Sequence, residues 1–218
     1  MFANQFDHFF IGNFSATKGI HKNGYWLWNS NVNLNTNRYS LNSVCIRQHC
    51  CTTGQTIFVA DPTAQPGYDT DQIVYLECPY QLKAYSRNRW VAPPQEMLAS
   101  VISQSLRNTC FFKAVVTAPF AGQSHYRLET KLVKLQHEFF CCPSRVRMIL
   151  HVVLIDTCCR EVLGERVFET VVIAPKNNPY SGVIAANRAT KILLEQMSNY
   201  IVCTIQAHPT LPMPRKYL

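Results

Sequence analysis

Three stretches in the second half of the chain, HYRLETKLVKLQHEFF, RVRMILHVVLID and REVLGERVFETVVI, follow one another with only CCPS and TCC between them. Each is long and rich in β-branched and aliphatic residues, the composition of strands. Joining parallel strands takes a crossover of a dozen residues or more, and these connections have no room for one. The three stretches therefore read as a meander on which the other elements must pack. In the middle one, Val146, Met148, Leu150, Val152 and Leu154 line one face, because side chains alternate along a strand. Arg145, Arg147 and His151 line the other, beside Ile149, Val153 and Ile155. Such a strand is covered on one face and at least partly covered on the second.

Shorter elements precede the meander. TIFVA and QIVYLE read as strands on either side of the turn region DPTAQPGYDTD, and PYQLKAYSRNRW as a short extended piece. Pro93 and Pro94 open a helix, since proline suits the first turn, where its missing N–H has no partner to lose. Met97, Val101 and the pairs Leu98/Ile102 and Ser105/Leu106 share a face at helical spacing, and Asn108 is a stop. FFKAVV is a strand and APFAGQS a loop. After the meander, Asn177, Pro179 and Ser181 introduce a helix of about 24 residues, roughly 36 Å long, from 182 to about 205. Its stripe is Ile184 or Ala185, Ala189, Ile192/Leu193, Gln196/Met197 and Tyr200.

The predicted class is α/β, of the α+β-like kind: a compact mixed β-sheet with two helices on one face, in the order β-β-α-β-β-β-β-α. Residues 56–206 form the folded domain. Residues 1–55, rich in asparagine and without a sustained period, read as an irregular N-terminal extension. Residues 207–218 read as a Pro-rich extended tail.

At 218 residues the chain can bury a sizeable core. Its net charge of +8 arises at only 16% charged residues, so it reflects few acids rather than basic clusters. That charge suits an anionic partner without choosing among nucleic acid, lipid headgroups and an acidic protein surface. No run approaches the roughly 18 apolar residues of a membrane span. MFANQFDHFFIGNF has no positive n-region, and Asp7, His8, Gly12 and Asn13 break its apolar core, unlike a signal peptide.

The ten cysteines contain no C-x-x-C, which argues against structural zinc. Cys78, Cys110 and Cys203 read as small buried hydrophobes. Cys45 and Cys50/Cys51 could close a short disulfide loop in an oxidising compartment. Cys141-Cys142 and Cys158-Cys159 sit at opposite ends of the middle long strand, on the order of 40 Å apart at about 3.3 Å per residue. A bridge needs Cα atoms within about 7 Å, so these pairs cannot join within one chain.

Catalytic signatures are missing from the sequence: there is no Gly-rich phosphate loop, H-E-x-x-H or G-x-S-x-G. His137 and His151 lie on neighbouring predicted strands, where ordinary surface or half-buried histidines are the simpler reading than a paired site. Glu138 and Arg147 face each other across the Cys141-to-Ser144 turn as a cross-strand ion pair worth a few tenths of a kcal/mol. Neither a catalytic role nor a cofactor nor a metal is expected.

The stretch YSRNRWVAPPQEML is harder to assign. Its structural reading has Trp90 packing over the start of the Pro93 helix, with Pro93 and Pro94 fixing the turn. Arg87 and Arg89 then project from a rigid corner. In a functional reading, Arg87, Arg89, Trp90 and Tyr85 touch an acidic neighbour. Base stacking by Trp90 lacks companion aromatics at a single-strand-binding spacing. It belongs to the alternative function, a soluble basic nucleic-acid-binding α/β domain.

From about Tyr39 to Val202 the chain resembles the ABC-type transport auxiliary lipoprotein family, the PqiC-like periplasmic proteins. The resemblance is carried by NRYSL, by TIFVADPTAQPGYDTDQIVY with Pro66, Gly67, Tyr68 and Tyr75, and by YSRNRWVAPPQEML with Pro93 and Pro94. YRLETKL from Tyr126, VLID, and RVFE with Phe168 complete it, ahead of a long C-terminal helix. It implies a non-catalytic periplasmic lipoprotein, anchored at the outer membrane through an acylated lipobox cysteine. Its implied partners are a mammalian-cell-entry (MCE) domain protein and an inner-membrane ABC transporter, permease and ATPase, in intermembrane lipid transport or envelope maintenance. It also implies a homo-oligomer, possibly ring-like, and no nucleic acid. SNVNLNTNRYSL suits the segment just after such a cysteine, although the residues before it form no recognisable lipobox.

Overall fold

The computed structural model describes residues 36–42 and 53–208. Strands β1 (Asn37–Tyr39), β2 (Thr56–Val59), β3 (Thr63–Ala64), β4 (Gln72–Leu76) and β5 (Lys83–Trp90) precede helix α1 (Pro94–Asn108). Strands β6 (Ala114–Thr117), β7 (Tyr126–Glu138), β8 (Arg145–Asp156) and β9 (Glu161–Ile173) then lead to helix α2 (Pro179–Ala207). The strands form one mixed nine-stranded sheet. With two helices this is the α+β class expected.

The three long strands are the antiparallel meander the short connections require. β7 pairs with β8 from Tyr126↔Asp156 to Glu138↔Arg145, and β8 with β9 from Arg145↔Ile173 to Asp156↔Glu161. The other edge of β7 is shared by three short strands, all parallel to it. β2 takes its start, β3 its middle and β4 its end. β6 lies outside β2, β5 is antiparallel outside β4, and β1 is parallel outside β5.

Three strands go beyond the expected order. β1 and β3 have three and two residues, too few to show a period in sequence. β1 lies within the 1–55 stretch read as irregular, and its register is set by β5 rather than by its own pattern. The extended piece at PYQLKAYSRNRW is β5.

Alternation places the core. Val146, Met148, Leu150, Val152 and Leu154 are buried, and α2 lies against β8 and β9. The opposite side of β8 is half-buried at every position from Arg145 to Ile155. α1 buries Met97, Leu98, Val101, Ile102, Ser105 and Leu106, the face its spacing indicated. Pro94 takes its first turn, with Glu96 near its N-terminus and Arg107 near its C-terminus complementing the helix dipole. α2 starts before 182 because Asn178 caps it, its side-chain oxygen accepting from the Ser181 amide at 2.8 Å. Its stripe runs through Ala185, Ala189, Leu193 and Met197 to Ile205, while Ile192 is 40% exposed.

The cysteine reading is corrected. Cys78, Cys110 and Cys203 are exposed, not buried. Cys78 and Cys110 occupy turns after β4 and α1, and Cys203 lies on the solvent side of α2. A small side chain packs adequately on either side of a surface, so apolar character alone did not locate them. Cys141, Cys142, Cys158 and Cys159 are free and flank the 12-residue β8. Cys45, Cys50 and Cys51 lie outside the described residues. No helix among the described residues is long and apolar enough to cross a membrane.

Candidate functional site

The Arg-Asn-Arg-Trp stretch ends β5. Trp90 is 3% exposed, its amide donating to the Asp71 carbonyl at 2.8 Å. Its indole shares a small interior gap with Ile73, Val74, Leu135, Val146 and Ala186, so it sits between the sheet and α2. Val91 N donates to Tyr39 O at 2.8 Å, and Pro93 holds the extended backbone that lets Pro94 begin α1. With its faces buried, this indole is not available to stack on a base, and nothing in the structure favours the nucleic-acid alternative.

The two arginines differ. Arg89 donates from Nη1 to Asp71 Oδ1 at 2.9 Å and is half-buried. Arg87 is exposed, with no ion pair among the described residues. Arg38 on β1 is also exposed and stands in register beside Arg89. Neither Arg38 nor Asp71 carries a signal in the sequence, because β1 has no pattern of its own and Asp71 lies in the loop before β4.

Tyr85 points inward. Its ring stacks on Tyr75 with centroids 4.4 Å apart, and its hydroxyl lies 3.3 Å from His137 Nδ1. The other imidazole nitrogen, Nε2, is 3.1 Å from Ser144 Oγ. Burial pushes the Tyr85 phenol well above its usual range and pulls His137 down to about 4. The chain Tyr85–His137–Ser144 is therefore neutral at physiological pH. A serine–histidine contact invites comparison with a nucleophile and its base. Here Ser144 is 0% and His137 2% exposed, so no substrate reaches either. The chain acts as a polar cross-link between β5, β7 and the start of β8.

A second cross-link explains the Pro66-Gly67-Tyr68 turn. Gly67 has φ +91°, a conformation other residues adopt only under strain. The turn folds Tyr68 onto the sheet, where its hydroxyl donates to Gln136 Oε1 at 2.5 Å. Gln136 Nε2 donates to Glu138 Oε1 at 2.8 Å. Arg145 Nε reaches Glu138 Oε2 at 2.8 Å and Arg147 Nε reaches Oε1 at 2.7 Å. Arg147 also pairs with Glu169 on β9. Burial by itself would raise the Glu138 carboxyl, but hydrogen bonds from Arg147, Arg145 and Gln136 outweigh it and hold the group below the ordinary carboxylate range.

The expectation of a weak cross-strand pair is corrected accordingly: Glu138 is 2% exposed, and a buried carboxylate stripped of a partner is costly. Tyr126 is buried, its hydroxyl donating to Gln55 Oε1 at 2.8 Å. Phe168 is buried edge-on to Tyr200 at 5.6 Å, with the Arg166 guanidinium 5.2 Å above its ring. His137 and His151 do not meet. They lie on opposite faces, His151 bonding Glu165 on the half-exposed side at 2.6 Å.

These positions define a class: an α+β domain whose marked tyrosines, prolines and tryptophan hold the sheet and helices together, leaving a basic strand edge in solvent. Residues 39–198 match the model of the family described as the ABC-type transport auxiliary lipoprotein component, and the chain belongs to that family. Protein XCC0632 from Xanthomonas campestris, assigned to DUF330, has a similar solved structure. The TM-score is 0.71 at 16% identity, covering 78% of this chain and 97% of that one. An uncharacterized protein of known structure aligns with TM-score 0.61 at 14% identity, over 76% of this chain and 98% of that one. At these identities the likeness shows the fold. No curated protein matches the chain.

Proposed function

We propose that the protein is a non-catalytic auxiliary subunit of an ABC/MCE-type system for intermembrane lipid transport or envelope integrity. In this reading it works in the periplasm at the outer membrane, as an oligomer engaging an MCE-domain protein and, through it, the inner-membrane permease and ATPase. The observation that carries the reading is the family match over 39–198. The geometry supports it, because His137 and Ser144 are buried and the Glu138 carboxylate is buried and held by Arg145 and Arg147, so the two most enzyme-like groupings serve the fold.

Within this reading the contact surface is the β5 edge. Trp90 and Tyr85 hold it rigidly from inside, while Arg87 faces solvent and Arg89 is positioned by Asp71. Capture of the tagged chain from detergent-solubilised cells that carry its own gene, followed by mass spectrometry, tests the reading. Enrichment of an MCE-domain protein is the expected result. Its absence alongside a stably folded bait would overturn it.

A further inference from the structure

Strand β9 and helix α2 form the two walls of an open cleft of about 490 Å³. Arg166 and Phe168, two residues apart, share the face of β9 turned to α2. Gln196, Asn199, Tyr200 and Cys203 recur at helical spacing, so α2 presents them together on the opposite wall. No acid among the described residues lines the cleft. Alternation along β9 explains this, because Glu165 and Glu169 point to the other side of the strand, where they bond His151 and Arg147.

Arg166 is held by rings rather than by a counter-ion. Its Cζ lies 5.2 Å from the Phe168 ring centroid and 5.4 Å from that of Tyr200, a cation–π arrangement that positions a guanidinium without neutralising it. The two rings meet edge-on at 5.6 Å. Gly164 leaves room for the Tyr200 hydroxyl, which a Cβ there would overlap. Among the described residues, the Arg166 guanidinium, the carboxamides of Gln196 and Asn199 and the Tyr200 hydroxyl have no hydrogen-bond partner.

We propose that this cleft binds a phosphate group. The guanidinium on the strand wall and the carboxamide N–H groups on the helix wall donate from different directions. A tetrahedral oxyanion accepts such donors, whereas a planar carboxylate takes its donors in one plane. The rings already order the guanidinium, so little freedom is lost when it grips an anion. The net charge of +8 favours the approach of a negative ligand. The phosphate is either free, as in a soluble monoester, or carried by a lipid headgroup, and both present the same oxygens. The site depends on neither the β5 edge nor the transport reading.

The test titrates the purified chain with inorganic phosphate, with glycerol phosphate and, as a planar comparator, with acetate, all at constant ionic strength. NMR follows the Arg166 Nε–H and the side-chain amides of Gln196 and Asn199. Saturable shifts are expected with both phosphates and not with acetate. Arg166→Gln is expected to weaken binding at least about tenfold, as losing a charged donor does. Arg188→Gln removes the same charge from an exposed site elsewhere on α2 and is expected to bind as wild type. Gln196→Ala with Asn199→Ala keeps the ring-held guanidinium and is expected to weaken binding several-fold, whether or not Arg166→Gln folds. Sedimentation with phosphatidylglycerol vesicles separates the sources. Vesicle binding that Arg166→Gln abolishes assigns a headgroup, and its absence alongside phosphate shifts assigns a free phosphate. A wild type that binds neither phosphate nor vesicles would overturn the proposal. So would acetate shifts equal to those of phosphate, an equal loss in Arg188→Gln, or a folded Arg166→Gln that binds as wild type.

Discussion

Gly182, in the first turns of α2, rests directly on the ring of His137: a Cβ built at Gly182 would lie 2.5 Å from His137 Nδ1 and 3.0 Å from Cε1. The ring cannot retreat, because its two nitrogens are within reach of Tyr85 and Ser144. The entry of α2 onto the sheet is thus set by a glycine–histidine contact.

Alanine at Gly182 is accordingly expected to destabilise the fold. Replacing glycine by alanine inside a helix ordinarily helps by roughly 0.5–1 kcal/mol. Here overpacking reverses the sign, and a net loss of about 1–3 kcal/mol is expected, read from chemical denaturation. A stabilised Gly182→Ala variant would show that α2 does not bear on His137.

His137 also sets a pH dependence. Its folded-state value is lowered to about 4 by burial, against 6.5 for a free histidine. Between those values the unfolded chain takes up a proton that the folded chain refuses, so stability rises with pH across that window. The contribution is complete above about pH 6.5 and fades as pH falls toward about 4. Denaturation midpoints measured across this range should fall on acidification, and His137→Gln should flatten that slope. An imidazole NMR titration near 6.5 would contradict the burial argument.

Glu138 acts in a lower window. Its carboxyl is held below the ordinary 4.5, so its contribution is present above that value and is lost only as pH falls through the depressed one. At neutral pH, Glu138→Ala leaves Arg145 without its partner and Arg147 with Glu169 alone. Breaking a buried ion pair costs about 3–5 kcal/mol, and the lower end is expected because the arginines remain 32% and 23% exposed. Tyr68→Phe removes one hydrogen bond and should cost about 0.5–1.5 kcal/mol.

Much of this was legible from local pattern. The meander followed from connection lengths, and the face of α1 from helical spacing, because both are properties of neighbouring residues. The Glu138 cluster was half visible. Arg147 could be placed opposite it, but nothing local revealed that Tyr68, from a distant turn, would join the cluster through Gln136. β1 and β3 could not be read because their pairing comes from β5 and β7. The three exposed cysteines were misplaced because a small thiol suits both a core and a surface. That Trp90 packs was legible, but its place against α2 rather than over the start of α1 was not, and Asp71 as the Arg89 partner depended on where the β3–β4 loop returns.

The same corner separates fold from contact. Trp90→Ala should cost about 3–5 kcal/mol, as truncating a buried aromatic does. Arg87→Ala should cost under about 1 kcal/mol, as an exposed charge without a fixed partner does. Thermal melts of the two variants check the difference, and equal losses would mean that Arg87 is part of the packing.

Capture from native envelopes of the wild-type chain beside its Arg87→Glu/Arg89→Glu variant bears most directly on the role as an auxiliary transport subunit. Wild type is expected to enrich an MCE-domain protein together with permease and ATPase subunits, and the folded variant to lose them. A well-folded wild-type bait that recovers none of the three would contradict that role.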